Sequence, residues 1–173
     1  MSTSFELRPE HFLAGTIGPA GERVFYLQAT ENTTVVSLRL EKQQVAALAE
    51  YLAGILADLP AVDEPAASLG DLVQPVIAEW VVGSLAVAYE ESEDRVLIVA
   101  EELVTDPDDS DPDAGSEPDP ATARFHLTRS QVAQFVRHAV ELVMSGRPAC
   151  PLCGHPMDPN GHVCPKSNGH HAP

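Results

Sequence analysis

Residues 35–56, VVSLRLEKQQVAALAEYLAGIL, change their hydrophobic period midway, and this change decides the predicted fold. From residue 35 to residue 40, apolar and polar side chains alternate, which is typical of a half-buried β-strand. From residue 43 to residue 56, the apolar side chains follow helical spacing, namely Val45, Leu48, Leu52, Ile55 and Leu56. This stripe predicts an amphipathic α-helix after the strand, and Pro60 ends the helix.

The same strand-helix pattern recurs later in the chain. LRLEKQQVA, residues 38–46, aligns without gaps with FHLTRSQVA, residues 125–133, at an offset of 87. RVFYL, residues 23–27, aligns with RVLIV, residues 95–99, at an offset of 72, and the difference of 15 equals the length of the segment 106–120. Each half is therefore predicted to have the element order β-β-β-α, with an insertion in the second half. We predict an α+β domain with a pseudo-two-fold repeat, about six strands and two main helices.

The predicted strands are rich in β-branched and aromatic side chains and are bounded by turn residues. They are residues 12–17, 23–29, 35–40, 76–89, 95–104 and 123–127. Gly83 predicts a bulge or break within the fourth strand. Thr128 and Gln131 form the Thr-x-x-Gln pattern of a capping box, which predicts a second helix that ends before Gly146 and Pro148.

Two segments differ from this body in composition. Residues 105–120 hold seven acidic residues, four prolines and no Lys or Arg, so they are predicted to be disordered. The last segment contains all three cysteines of the chain. We therefore predict a two-fold β-β-β-α body over residues 1–147, with the disordered acidic insertion at 105–120, followed by a zinc-knuckle tail over residues 148–173.

Charge and cysteine usage limit the classes of partner and compartment. Ten basic and 26 acidic residues give a net charge of -16, so the chain repels nucleic-acid backbones, and the charge favours either a basic protein partner or simple solubility. The N-terminal residues lack the apolar region of a signal peptide, and no apolar run is long enough to span a bilayer. Three cysteines without a disulfide framework fit a reducing cytoplasm. We expect a cytoplasmic protein that binds neither nucleic acid nor membrane, and its oligomeric state is left open.

The stretch CPLCGHPMDPNGHVC, residues 150–164, contains the only group of residues with clear chemistry. Three thiolates and an imidazole match one tetrahedral Zn²⁺ in type and number. The predicted ligands of this structural zinc are Cys150, Cys153, His162 and Cys164. Three other histidines remain alternatives for the fourth ligand, namely His155, His170 and His171.

Other chemistries have weaker support in the sequence. A catalytic zinc needs an open coordination position and a substrate pocket, and a thioredoxin-like use of Cys150 and Cys153 needs a strand before the pair and a helix after it. The acidic segment lacks a calcium-binding loop, and no nucleotide-binding or hydrolase motif occurs. His126, His138 and His11 are interpreted as surface or boundary residues. No catalytic or cofactor-binding residue is therefore predicted.

Three stretches resemble an uncharacterised family of actinobacterial proteins, a domain of unknown function (DUF3090). They are FELRPEHFLAGTIGPAGERVFYLQA, VVSLRLEKQQVAALAEYL and CPLCGHPMDPNGHVCPKSNGH, residues 5–29, 35–52 and 150–170. The resemblance implies a small cytoplasmic protein associated with a phosphatidylinositol-kinase-like protein and a phosphoglycerate-mutase-like phosphatase. It implies no activity and no catalytic residues.

Two functions remain as hypotheses. The first is a non-enzymatic zinc-binding protein that acts as an interaction or adaptor module, because no nucleophile, base and oxyanion donor can be named together. The alternative is an enzyme, a hydrolase or phosphotransfer accessory, with a site in the cleft between the two halves. That cleft would be lined by His126, Arg23, Arg95 and Glu101. A deep polar pocket between the halves would favour the enzyme.

Overall fold

A computed structural model describes residues 3–19, 21–62, 69–105, 119–145, 150–155, 157 and 162–166. The elements in chain order are β1 (Ser4–Leu7), β2 (His11–Ile17), β3 (Val24–Glu31), β4 (Thr34–Leu40), α1 (Lys42–Ala57), β5 (Val82–Glu90), β6 (Arg95–Glu102), β7 (Thr122–Leu127) and α2 (Arg129–Ser145). The predicted α+β class is confirmed, with seven strands in two sheets and two helices among the described residues. No described helix has the length and apolar character needed to cross a membrane.

The two sheets meet where the chain enters β5. One sheet has the order β2-β3-β4, and the other has the order β1-β7-β6-β5. All pairs are antiparallel except β1 and β7, which run parallel. The N–H of Arg39 in β4 donates to the carbonyl of Trp80 at 3.0 Å, and a parallel bridge joins Arg39 to Val81. The segment before β5 therefore continues the first sheet beyond β4.

Strands β2 to β4 with helix α1 form what we call the first unit, and strands β5 to β7 with α2 form the second unit. Buried residues face each other in the same way in both units: Phe25–Leu40, Leu27–Leu38 and Ala29–Val36 in the first, and Val96–Leu127, Ile98–Phe125 and Ala100–Ala123 in the second. These pairs relate β4 to β7 by the predicted offset of 87. For β3 and β6, the corresponding buried residues are 71 positions apart, whereas the sequence alignment used an offset of 72. An offset of 72 would match buried residues of β3 with outward-facing residues of β6, because neighbouring residues of a strand point to opposite faces. Matching registers are what a repeat requires, and the repeat itself stays a prediction.

The inner faces of both sheets enclose one apolar core with the two helices. The helices contribute Val45, Leu48, Ala49 and Leu52 from α1, and Val132, Phe135 and Ala139 from α2. Phe12 of β2 joins the units, since its ring lies 5.3 Å from that of Phe125 and 5.1 Å from that of Phe135. Burial of these side chains is the main source of stability for the body.

Each helix carries in its first turn a glutamine whose side chain also contacts the other unit. The backbone N–H of Thr128 donates to Gln131 Oε1 at 2.9 Å, and the N–H of Gln131 donates to Thr128 Oγ1 at 3.1 Å, which confirms the predicted capping box. Gln131 Nε2 then donates to the carbonyl of Pro9 at 2.7 Å, just before β2. Gln44 of α1 donates to the carbonyl of Val82, at the start of β5, at 3.2 Å. The start of each helix is thus fixed to the first strand of the opposite unit.

Residues 69–77, which we call the strap, contact the outer face of the β2-β3-β4 sheet through Leu72 and Val73. Leu72 lies so close to Gly15 that a Cβ on this glycine would stand 2.4 Å from Leu72 Cγ. Gln28, which is fully buried, accepts from the N–H of Val73 at 2.7 Å and donates to the carbonyl of Val73 at 3.1 Å. This paired contact satisfies the buried amide and fixes the strap on the sheet.

The structure differs from the predicted strands in two places. The strand predicted over residues 76–89 begins at Val82, because the residues just before it pair with β4 instead. Strand β1 was not predicted, since its four residues are too short to show a period. The bulge expected at Gly83 is confirmed by a shift of register between Val82 and Ser84. Residues 106–118 of the acidic segment lie outside the described residues, and the division into body and tail stays a prediction.

Candidate metal centre

A tight turn brings the first two cysteines of the tail together. The N–H of Gly154 donates to the carbonyl of Cys150 at 2.8 Å, and the N–H of Cys150 donates to the carbonyl of His155 at 2.8 Å. Gly154 has φ of 74°, in the left-handed region that favours glycine, so its position just after Cys153 permits the turn. Both cysteine side chains consequently point to the same side of the loop, where residues 162–164 approach them.

Four potential ligand atoms converge in this loop. One atom each from Cys150, Cys153, His162 and Cys164 lies within 4.8 Å of all the others. The Sγ atoms of Cys150 and Cys164 are 3.8 Å apart, and Cys153 Sγ is 3.2 Å from His162 Nε2. Cys150 and Cys164 are buried, while Cys153 and His162 are half-buried. The four donor atoms therefore form one cluster.

The spacing of these atoms fits a metal ion and does not fit a disulfide. A disulfide requires about 2.05 Å between sulfurs, far less than the 3.8 Å between Cys150 and Cys164. A tetrahedral ion with metal–sulfur bonds of about 2.3 Å places two sulfurs about 3.8 Å apart. Three sulfurs and one imidazole nitrogen also form a donor set that suits soft or borderline divalent ions. The residues present thus fit a metal centre.

Backbone hydrogen bonds prepare one of these thiols for metal binding. The N–H groups of Cys153 and Leu152 point at Cys150 Sγ and lower the pKa of its thiol to about 6. The N–H of His155 lowers the pKa of Cys153, but burial and the hydrogen bonds to Cys150 and Cys164 outweigh it, so the pKa of Cys153 is raised. At neutral pH Cys150 is therefore largely a thiolate, which is the form that binds metals.

The structure also places the alternative residues for the fourth ligand. His155 is exposed, and its side chain is not part of the cluster among the described residues. His170 and His171 lie outside the described residues. His162, the first choice from the sequence, is the histidine that the loop brings to the three cysteines.

The residues proposed to line an enzymatic cleft between the units do not meet. Arg95 and Glu101 lie at opposite ends of β6, about 20 Å apart for six residues of strand. Arg23 donates to Ser145 Oγ at the end of α2 at 3.1 Å. His126 lies between the carboxylates of Glu6 and Glu90, at the Arg95 end of β6 and away from Glu101.

Sequence reasoning misjudged the environment of His126. His126 was interpreted as a surface or boundary residue, but only 9% of its side chain is exposed. Its Nε2 lies 3.1 Å from Glu6 Oε1, and its Nδ1 lies 3.2 Å from Glu90 Oε2. Glu6 belongs to β1, and because this strand was not predicted from the sequence, its contact with His126 was not predicted either. The alternation of β7 was the available signal for the position of His126, because Phe125 and Leu127 on either side face the core and His126 therefore lies on the outer face of the sheet.

Comparison with known proteins identifies the family. A family model described as a protein of unknown function (DUF3090) matches residues 4–164. No curated protein and no solved structure matches the chain. Because the matched region covers nearly the whole chain, the chain belongs to the DUF3090 family, as the resemblance of the three stretches predicted.

Proposed function

We propose that this DUF3090 protein is a zinc-binding, non-enzymatic adaptor of the cytoplasm, in which a Cys₃His zinc centre holds the tail and the body binds a partner protein. The observation that carries the proposal is the convergence of four ligand atoms within 4.8 Å in the loop from Cys150 to Cys164. The charge of -16 supports a basic partner and opposes nucleic-acid binding.

The zinc has a structural role in this proposal. Three thiolates and one imidazole fill the four positions of a tetrahedral ion, so none is left open for a substrate or a reactive water. The turn at Cys150 is held by two backbone hydrogen bonds, and the exposed side chains of Leu152 and Val163 add little apolar burial. Metal binding would then supply the folding free energy of the tail.

Metal analysis of the full chain, purified with reduced thiols and without added metal, tests the zinc centre. We expect one zinc per chain, and we expect Cys153→Ser and His162→Ala to lose it. His155→Ala is the matched control, since this neighbouring imidazole lies outside the cluster. Because thiolate ligation displaces protons, zinc affinity should fall as the pH is lowered. Less than half an equivalent of zinc in the intact protein would refute the proposal.

Chelation distinguishes the tail from the body. Zinc removal should change the NMR signals of residues 150–166 and leave those of the sheets and helices in place, because the body has its own apolar core. Loss of the cooperative unfolding transition on chelation would show instead that the body depends on the metal, and would contradict the proposed division at residue 148.

The adaptor role is supported by an apolar groove between α1 and α2. Small side chains of α1 and larger ones of α2 line it, namely Ala46, Ala49, Ala53, Val136, Val140, Val143 and Met144, with Glu50 at the rim. Val140 and Met144 are 46% and 55% exposed, unlike the buried side chains that face the sheets. A volume of about 300 Å³ is at the lower end for ligand pockets and suits the anchoring side chains of a partner.

The proposed occupant is an amphipathic helix of a partner protein, with basic residues on its flanks. Two parallel or antiparallel helices expose a groove that a third helix can fill with side chains spaced by three or four residues. Glu50 and the net charge of -16 supply the charge complementarity, which would steer a basic segment and weaken with salt.

Capture from an extract of the source organism, followed by titration of the identified and purified partner, tests this role. Val140→Glu should weaken binding of the partner at least tenfold, because it places a charge in the apolar groove. Ile77→Glu is the matched control, as Ile77 is 73% exposed on the strap and does not line the groove. A partner that binds Val140→Glu as tightly as the wild type, or no captured partner at all, would contradict the adaptor role.

A further inference from the structure

The second group of ligating side chains surrounds His126 on the outer face of the β1-β7-β6-β5 sheet. His126 is nine-tenths buried, and each ring nitrogen faces a carboxylate: Nε2 lies 3.1 Å from Glu6 Oε1, and Nδ1 lies 3.2 Å from Glu90 Oε2. Glu93, in the turn after β5, brings a third carboxylate into the group. This cluster is separate from the cysteines of the tail, since none of its residues belongs to that loop.

The hydrogen-bonding pattern of this cluster is incomplete. A carboxylate only accepts hydrogen bonds, and a neutral imidazole carries a single N–H. If His126 Nε2 donates its proton to Glu6, the lone pair of Nδ1 faces a carboxylate oxygen of Glu90 at 3.2 Å, which is repulsive. A positive charge is needed between these two atoms, either a second proton on the ring or a metal ion.

The charged groups around His126 are of both signs. Three carboxylates, from Glu6, Glu90 and Glu93, stand around the ring. Arg8 Nη2 lies 2.8 Å from Glu93 Oε2, and the strand registers place Arg95 opposite Glu90 and Arg124 opposite Glu6. The need for a positive charge between Nδ1 and Glu90 therefore rests on the geometry of these two atoms and not on the net charge of this face.

We propose that His126 Nδ1, Glu90 and Glu93 bind a divalent first-row metal ion. Ligand atoms from these three residues lie within 4.8 Å of one another. His126 Nδ1 and Glu90 Oε2 are 3.2 Å apart. If each atom bound one ion at about 2.1 Å, the ligand–metal–ligand angle would be about 100°, which lies between the octahedral and tetrahedral values. Glu6 accepts the Nε2–H of His126 and so fixes the tautomer that turns the Nδ1 lone pair to the ion, as carboxylates do for many metal-bound histidines.

The donor set around His126 is harder than that of the tail, because it holds no thiolate. One imidazole and two carboxylates suit ions that accept nitrogen and oxygen, such as Mn²⁺ or Zn²⁺. The side chain of Glu93 is 46% exposed, so solvent reaches the cluster and water can complete the coordination. The ion would join β7, the end of β5 and the following turn, and through Glu6 it would also hold β1.

Mn²⁺ is the appropriate probe, because this hard ion discriminates against the thiolates of the tail. The full chain is first loaded with one equivalent of zinc, which the thiolates of the tail bind in preference to nitrogen and oxygen ligands, and is then titrated with Mn²⁺. Free Mn²⁺ is followed by its EPR signal. We expect saturable binding of one Mn²⁺ per chain and selective paramagnetic broadening of the ring signals of His126 in the NMR spectrum.

Matched variants locate the bound ion. Glu93→Gln, in an exposed turn where the fold is not at risk, should weaken Mn²⁺ binding at least tenfold. Glu6→Gln should weaken it by about 10- to 100-fold, the range for residues that orient a metal-bound histidine. Glu101→Gln makes the same charge change at the far end of β6 and should leave the affinity unchanged within about twofold.

Two results would overturn the proposal. One is the absence of saturable Mn²⁺ binding, with both ring nitrogens of His126 protonated in the ¹⁵N spectrum at neutral pH, which would show that a proton supplies the missing charge. The other is Mn²⁺ binding that Glu93→Gln weakens no more than Glu101→Gln does. Because the zinc centre is loaded beforehand, neither result depends on the proposed role of the cysteines.

Discussion

The first and second units have the same inner face and different outer faces. Their buried pairs correspond residue by residue, as Leu27 of β3 and Ile98 of β6 show. On the outer side, Gly15 of the first unit lies under Leu72 of the strap, whereas the corresponding Ala88 of the second unit is exposed. The shared core constrains the inner registers, while the outer faces are free to diverge. The carboxylates around His126 accordingly stand on the outer face that the strap does not cover.

The largest expected effects test the equivalence of the inner faces. Leu27 and Ile98 are both at most 1% exposed and occupy corresponding positions. Leu27→Ala and Ile98→Ala should each lower the free energy of unfolding by about 2–5 kcal/mol, because both leave a cavity in the same core. Urea unfolding followed by circular dichroism measures both. A near-neutral result for one of them would show that the units do not share one core.

A second pair of variants tests the difference between the outer faces. Gly15→Val should lower the free energy of unfolding by about 1–3 kcal/mol, since the new side chain displaces Leu72 and with it the strap. Ala88→Val, at the corresponding exposed position, should stay within about 0.5 kcal/mol of the wild type. Equal changes in the two urea midpoints would mean that the strap does not depend on this contact.

The start of the second helix provides a smaller effect. Thr128→Ala removes the hydroxyl that accepts from the N–H of Gln131 and should cost about 0.5–2 kcal/mol of unfolding free energy. Thr128→Ser retains the hydroxyl and should preserve most of the stability. If the two variants unfold at the same denaturant concentration, the hydroxyl does not stabilise the helix.

The smallest effect concerns an exposed ion pair that belongs to the second unit. Arg129, bonded to both carboxylate oxygens of Asp94 at 2.8 and 3.0 Å, and Tyr89 hold the pKa of Asp94 below its usual 3.8. A depressed pKa adds stability above the unfolded value and loses it as the pH falls through the folded value. Asp94→Asn should therefore lower the Tm slightly at pH 7, and the difference should shrink as the pH falls below 3.8 and disappear in stronger acid, below the depressed pKa of the folded state. A Tm difference that persists in acid would exclude the ion pair as its cause.

Much of this architecture was accessible from local patterns. The alternation in residues 35–40, the stripe from Val45 to Leu56 and the cap at Thr128 depend on neighbours in sequence, and each was found. The Cys₃His cluster was predicted for the same reason, since its donors all lie within fifteen residues of chain. Short-range spacing carries the information in all these cases.

The features that were missed depend on distant contacts. Strand β1 is short, and its partner β7 lies near the other end of the sequence, so no local period marks it. The strap lies on the sheet through Gln28 and Leu72, and neither residue type predicts such a role by itself. The cluster around His126 combines residues from β1, β5 and β7, and it could not be assembled before the topology was known.

The parallel pairing of β1 with β7 also has a consequence for synthesis on the ribosome. Glu6 of β1 contacts His126 of β7 across a sequence separation of 120 residues. Strand β1 is therefore translated long before β7 and has no partner strand until β7 has left the ribosome. During this interval its apolar side chains, Phe5 and Leu7, are open to nascent-chain chaperones. Strand β1 is thus among the last elements to become ordered, and the sheet can be completed only after β7 has been translated.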